Sequence, residues 1–130
     1  MKANVLVDTS IWIEFFNHPE SKNGEKLERL IVDDRVVCSG IILAELLQGA
    51  KIEKEYRAIK DNMIVFPFLE ANYETWLFTG KTAYDLRRKG ITVPISDTLI
   101  ATLAKENNCL VFSLDNHFKK VPGINLYNGR

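Results

Sequence analysis

Short runs of apolar, mostly β-branched residues recur along the chain, at NVLV (4–7), RVVC (35–38), MIVF (63–66), LVFS (110–113) and INLY (124–127). Each is bounded by polar residues, Gly or Pro, the pattern of strands ended by turns. Between them the apolar positions take up helical spacing. Residues 10–16 predict a short first helix, and 24–32 carries Leu27, Leu30 and Ile31 on one face before stopping at Asp33 and Asp34. Residues 41–48 are apolar almost all round and end at Gly49, whereas 51–60 is polar and rich in basic residues. The longest segment, 70–89, runs up to Gly90, a natural helix stop, and 97–107 carries Leu99, Ile100, Leu103 and Ala104. Tyr73, Trp76, Leu77 and Tyr84 make an apolar stripe on that long helix, to which Phe78 does not belong, and read mainly as core. Apolar strands alternating with helices predict a parallel sheet covered on both faces, in an α/β domain without internal repeats or a linker.

At 130 residues the chain is the size of one domain, expected to span 1–130. A domain of that size buries roughly two-thirds of its unfolded surface. Lys plus Arg balance Asp plus Glu at 17 each, so an overall basic charge does not point to nucleic acid, and any such partner must be held by a local patch. Cys38 and Cys109 are isolated from each other and from any Cys/His cluster, and read as small core residues in a reducing compartment. The apolar stretch before Asp8 is too short for a signal peptide, and no run approaches the ~20 apolar residues of a membrane span. A cytoplasmic protein without membrane contact is expected.

Ligands of a parallel α/β sheet bind beyond the carboxyl ends of its strands, where the strand order reverses. Asp8 follows the first strand, Asp115 follows LVFS, Asp97 opens the helix after VPIS, and Glu45 lies in the helix entered from the second strand. Three of them have an ordinary alternative. Asp8, Thr9 and Ser10 are all good helix caps, with Ser10 expected to cap a helix starting at Ile11; Asp97 with Ser96 would cap equally well, and Asp115-Asn116 is common turn chemistry. Glu45 is harder to explain that way, because Ile41, Ile42, Leu43, Ala44, Leu46 and Leu47 leave its helix little solvated surface. A buried carboxylate without a partner costs several kcal/mol or becomes neutral. If the four acids converge they repel one another, and a divalent cation relieves that conflict. An all-oxygen site selects Mg²⁺ or Mn²⁺, and the matching chemistry is hydrolysis of a phosphodiester by an activated water.

The series VLVDTSIWIEFF, ILAELLQG, LRRKGITVPISDTLIATLA and LVFSLDNHF, in that order, closely resembles the PIN-domain ribonucleases, in particular the VapC-type toxins of toxin-antitoxin pairs. The resemblance covers nearly the whole chain. It implies a three-layer α/β/α fold with a five-stranded parallel sheet and a Mg²⁺-dependent endoribonuclease, with Mn²⁺ able to substitute. It also implies that Asp8, Glu45, Asp97 and Asp115 bind the metal, that Ser10 and Ser113 orient a carboxylate or a metal-bound water, and that Arg87 contacts RNA. A homodimer and an inhibitory antitoxin lying across the acidic pocket are implied as well, with Trp12, Phe15 and Phe16 as candidate surface for that partner.

One position departs from the family pattern. His117 stands where many relatives carry a further acid, which argues against strong binding of a second metal; with Phe118 anchoring a turn beside it, it reads as a surface histidine. Lys51, Lys54, Arg57 and Lys60, and Arg87 to Lys89, fit phosphate contacts or a simple solvated face equally well. Two other functions remain open to the sequence: a PIN-like binding module without catalysis, and a Mg²⁺-binding phosphoacceptor domain. The first would be expected to have lost an acid, and the second to carry a paired acidic turn and a late Lys.

Overall fold

The computed structural model describes residues 2–129. Its elements are β1 (Val5–Val7), α1 (Thr9–Asn17), α2 (Lys22–Val32), β2 (Val36–Ser39), α3 (Gly40–Gln48), α4 (Glu53–Met63), β3 (Phe68–Leu69), α5 (Tyr73–Arg88), α6 (Ile95–Glu106), β4 (Leu110–Phe112) and a closing 3-10 helix, Asn116–Lys120. The strands form one parallel sheet in the order β3-β2-β1-β4. Val5 pairs with Val36 on one side and with Leu110 on the other, so β1 is central and wholly buried.

Strand order fixes the layers. The chain steps outward from β1 to β2 to β3, then returns across the sheet to place β4 on the far side of β1. Crossovers between parallel strands are right-handed, so α1 to α4 cover one face and α5 with α6 the other. The helix contacts follow this division: α1 packs on α2 and α3, α3 on α4, and α5 on α6, which in turn lies on β1 and β4. Strand order reverses between β1 and β4, and in an open α/β sheet the carboxyl ends at such a reversal flank the crevice that receives ligands.

The sheet has four strands, not the expected five. Residues 63–66 do not form a strand: Met63 is the buried last residue of α4, and Ile64 and Val65 are exposed in the turn that follows. Pairing starts only after Pro67, whose carbonyl accepts the Cys38 N–H at 2.9 Å. Proline cannot donate to a ladder, which suits it to the start of an edge strand. The 124–127 segment does lie beside β4 but pairs through one residue, Val111 with Leu126, flanked by bonds of 2.9 Å and 2.8 Å.

The long helix faces the opposite way from the expected stripe. It begins at Tyr73 behind a capping box in which Asn72 accepts from the Thr75 N–H and Thr75 Oγ1 accepts from the Asn72 N–H. Gly90 follows with φ 77°, a left-handed conformation that glycine adopts without strain. Its buried residues are Thr75, Thr79 and Leu86, while Tyr73, Trp76, Leu77 and Tyr84 are exposed, as is Phe78. Small side chains explain the choice, because they let α5 sit close on α6, which presents Thr98 and Thr102. Thr79, Thr98 and Thr102 each donate to a carbonyl four residues earlier, at 2.8, 3.1 and 2.9 Å, so the polar contact face leaves these hydroxyls satisfied.

Trp12 is 1% exposed and so belongs to the core, not to a partner surface. It packs against Phe15, Phe16 and Phe66 with ring centroids at 6.1, 5.8 and 5.4 Å. Both cysteines are buried, and burial pushes the Cys38 thiol up to about 11, out of the reactive range.

Two leucines of α5 test its orientation. Leu86 is 4% exposed and Leu77 is 52% exposed. Leu86→Ala is expected to cost about 2–4 kcal/mol in urea unfolding, and Leu77→Ala no more than about 0.5 kcal/mol; equal losses would contradict the packing.

Candidate active site

Asp8 leaves β1 as its backbone N–H donates to Phe112 O at 2.8 Å, extending the ladder between β1 and β4 by one rung. It stands at the N-cap of α1, but its carboxylate makes no capping bond, and the helix begins at Thr9. Ser10 is therefore inside the helix and does not cap it. Its hydroxyl crosses the crevice instead, donating to Asp8 Oδ2 at 2.9 Å and accepting from the Leu114 N–H at 3.1 Å. Ser113, just past β4, donates to the same Asp8 oxygen at 2.7 Å and accepts from the Asp115 N–H at 2.9 Å. Asp8 is 6% exposed, and both hydroxyls bind Oδ2; Oδ1 accepts no hydrogen bond among the described residues.

Asp97 lies in the first turn of α6, where it likewise makes no capping bond, since the N-cap residue is Pro94. Its Oδ2 lies 2.9 Å from His117 Nδ1, and Asp115 Oδ1 lies 2.8 Å from the same nitrogen. Asp115 does keep its ordinary turn role as well, accepting the His117 N–H at 2.9 Å to cap the 3-10 helix. His117 thus bridges two of the acids, which corrects its reading as a surface histidine. Proximity in sequence to Asp115 was visible, but the contact to Asp97 spans twenty residues and left no local sign.

Glu45 is half-buried on α3 and is tied to the same corner through Thr9, whose hydroxyl donates to Glu45 Oε1 at 3.0 Å. Thr9, read from sequence only as a possible cap, is the residue that links the α3 acid to the turn carrying Asp8. Glu45 also opens onto a cleft of about 590 Å³ between α1, α3 and α4, with Ile13, Phe16, Leu46, Ala58 and Ile59 among its walls.

Electrostatics mark Asp97 as the strained member. Burial raises its carboxyl above the ordinary carboxylate range, and the negative charges of Asp115 and Asp8 raise it further, against the opposing hydrogen bond from His117. Among the described residues the ion pairs of Asp97 and Asp115 come from His117 alone. Asp97, Asp115 and His117 offer donor atoms within 4.8 Å of one another, close enough to share one cation. Arg87 is not part of this group: it is exposed in the last turn of α5, next to Arg88, whose guanidinium lies 4.9 Å from the Tyr84 ring centroid. Lys51, Lys54 and Lys60 are exposed on or just before α4, and Arg57 is paired with Glu53 at 2.7 Å.

The PIN domain family model matches residues 5–124. Among curated relatives, Ribonuclease VapC2 of Rickettsia felis is 29% identical, covering 95% of this chain and 96% of its own length. Ribonuclease VapC1 of Haemophilus influenzae is 30% identical over 83% of this chain and 84% of that protein. The crystal structure of DNA-bound VapBC from Salmonella typhimurium superposes with a TM-score of 0.82 at 25% identity, covering 99% of this chain and all of the other (100%). Strand order, the crevice and the acids had pointed the same way, and with these likenesses the chain belongs to the PIN-domain family, alongside the VapC ribonucleases.

Proposed function

We propose that the chain is a metal-dependent endoribonuclease and the toxin of a toxin-antitoxin pair. The carrying observation is the gathering of Asp8, Asp97 and Asp115, with Glu45 tethered through Thr9, at the point where strand order reverses. The relatives' names, ribonuclease for the curated proteins and VapBC complex for the solved structures, support it.

The donor set fits a divalent cation. Asp97 is half-buried and its proton affinity is raised by burial and by the charges of Asp115 and Asp8; with one histidine beside them, these acids form a site whose charge a cation would complete. Carboxylate oxygens favour Mg²⁺, with Mn²⁺ able to replace it. Asp8, Glu45, Asp97 and Asp115 would hold the ion, which would supply Lewis-acid stabilisation of phosphate charge and lower the pKa of a water so that hydroxide is available near neutral pH.

The chain's own groups supply the geometry. Ser10 and Ser113 pin Asp8 by one oxygen and leave the other without a hydrogen bond among the described residues. Thr9 fixes the Glu45 rotamer, and His117 keeps Asp97 and Asp115 from separating. Hydrolysis puts a water oxygen on phosphorus and breaks a P–O bond of the RNA backbone, the departing oxygen taking up a proton. Arg87, exposed and uncommitted to an ion pair among the described residues, contacts backbone phosphates outside the acidic crevice.

A cognate antitoxin segment lies in the apolar cleft beside Glu45, where Phe16 is 39% exposed, so that occupancy covers Glu45. The exposed apolar side of α5 supports a homodimer, and residues 1–130 act as one domain. No helix among the described residues is long and apolar enough to cross a membrane, which supports a cytoplasmic setting.

Two measurements test this reading. Asp8→Asn should lower Mg²⁺-dependent cleavage of single-stranded RNA at least about a hundredfold with the circular dichroism spectrum unchanged; undiminished cleavage would sink it. Asp97 gives a stability test whose sign follows from its raised pKa. Ionising it costs stability in the folded protein; the cost is absent below the ordinary carboxyl value of 3.8, grows as pH rises through the folded value, and is complete above it. In the presence of EDTA, Asp97→Asn should therefore melt above the wild type at pH 7, with the difference closing as pH falls below 4. Saturating Mg²⁺ should reverse the order, because only the wild type gains full binding energy.

A further inference from the structure

We propose that His117 is itself a ligand of the metal, through Nδ1, and that this nitrogen shifts the site's preference from Mg²⁺ toward Mn²⁺. The inference rests on the metal-nuclease reading and adds a ligand of a different chemical kind to it.

Geometry is the first argument. Donors bonded at about 2.1 Å to one octahedral ion lie about 3.0 Å apart when they are neighbours on the octahedron. His117 Nδ1 is 2.9 Å from Asp97 Oδ2 and 2.8 Å from Asp115 Oδ1, so both spacings match ligands sharing an ion. The residue is anchored through its backbone, because the His117 amide N–H donates to Asp115 Oδ1 within the 3-10 helix Asn116–Lys120, whose next residue, Phe118, is wholly buried.

Proton counting is the second. Two carboxylate oxygens stand at hydrogen-bond distance from one ring nitrogen, and a carboxylate can only accept. A single N–H directed at both serves each incompletely, whereas a cation in that position binds the nitrogen lone pair and both oxygens at once. The lone-pair nitrogen of a neutral imidazole is a better donor to transition metals than to Mg²⁺, which favours oxygen. A site with one nitrogen among carboxylates therefore discriminates toward Mn²⁺ more than an all-oxygen site would.

Mn²⁺ is also a spectroscopic probe, which gives a readout independent of cleavage. Electron spin-echo envelope modulation of the Mn²⁺-loaded protein should show ¹⁴N coupling from a directly bonded imidazole. His117→Asn and His117→Asp should both lose that coupling while still binding Mn²⁺, and competition titration should show the preference for Mn²⁺ over Mg²⁺ falling on the order of tenfold in each. Coupling that persists in both variants, or an unchanged preference, overturns the proposal while leaving the metal site standing. If Asp8→Asn does not weaken Mn²⁺ binding at all, the ion lies elsewhere and the metal-nuclease reading falls together with the proposal.

Discussion

The carboxyl edge of this sheet is organised around one buried carboxylate and the two hydroxyls that share its oxygen. Asp8 is taken almost entirely out of water at the end of the central strand, and Ser10 and Ser113 return part of the lost hydration. Each serine accepts in turn from a backbone N–H of the segment after β4, at Leu114 and Asp115. Fixing Asp8 therefore also fixes the loop that delivers Asp115 and His117. The acids face one another because a single hydrogen-bonded network crosses between two strands that are far apart in the chain.

The position of the acids was legible because it follows from strand ends, and strand ends are marked by local pattern. The apolar triplets VLV, VVC and LVF within NVLV, RVVC and LVFS read correctly as strands, which put Asp8, Asp115 and the Glu45 helix at the right edge. MIVF misled because its β-branched content was weighed without α4, whose helical run continues to Met63 and leaves Ile64 and Val65 in water. The α5 stripe misled for a related reason. Large apolar residues suggested a core face, yet close helix packing selected Thr75 and Thr79. Thr9 and His117 were assigned local roles, since their decisive partners, Glu45 and Asp97, sit 36 and 20 residues away.

Arrangements like that at Asp97 set stability against function. Burying like charges together opposes folding, and a cation bound beside Asp97 would relieve that cost. Much of the rest of the molecule is conservatively built, with a large apolar core, threonines that satisfy themselves within their own helices, and inert buried thiols. Local rules are relaxed chiefly where chemistry requires it.

The ladder between β1 and β4 has a consequence for how the protein comes into being. Asp8, Ser10 and Thr9 are among the first residues made, but the hydroxyl, acid and imidazole that complete their surroundings arrive only with β4 and the turn after it. Pairing strands so distant in sequence is slow compared with forming the helices between them. A growing chain whose helices have already formed still holds a scattered set of carboxylates, so hydrolytic competence is withheld until the sheet closes.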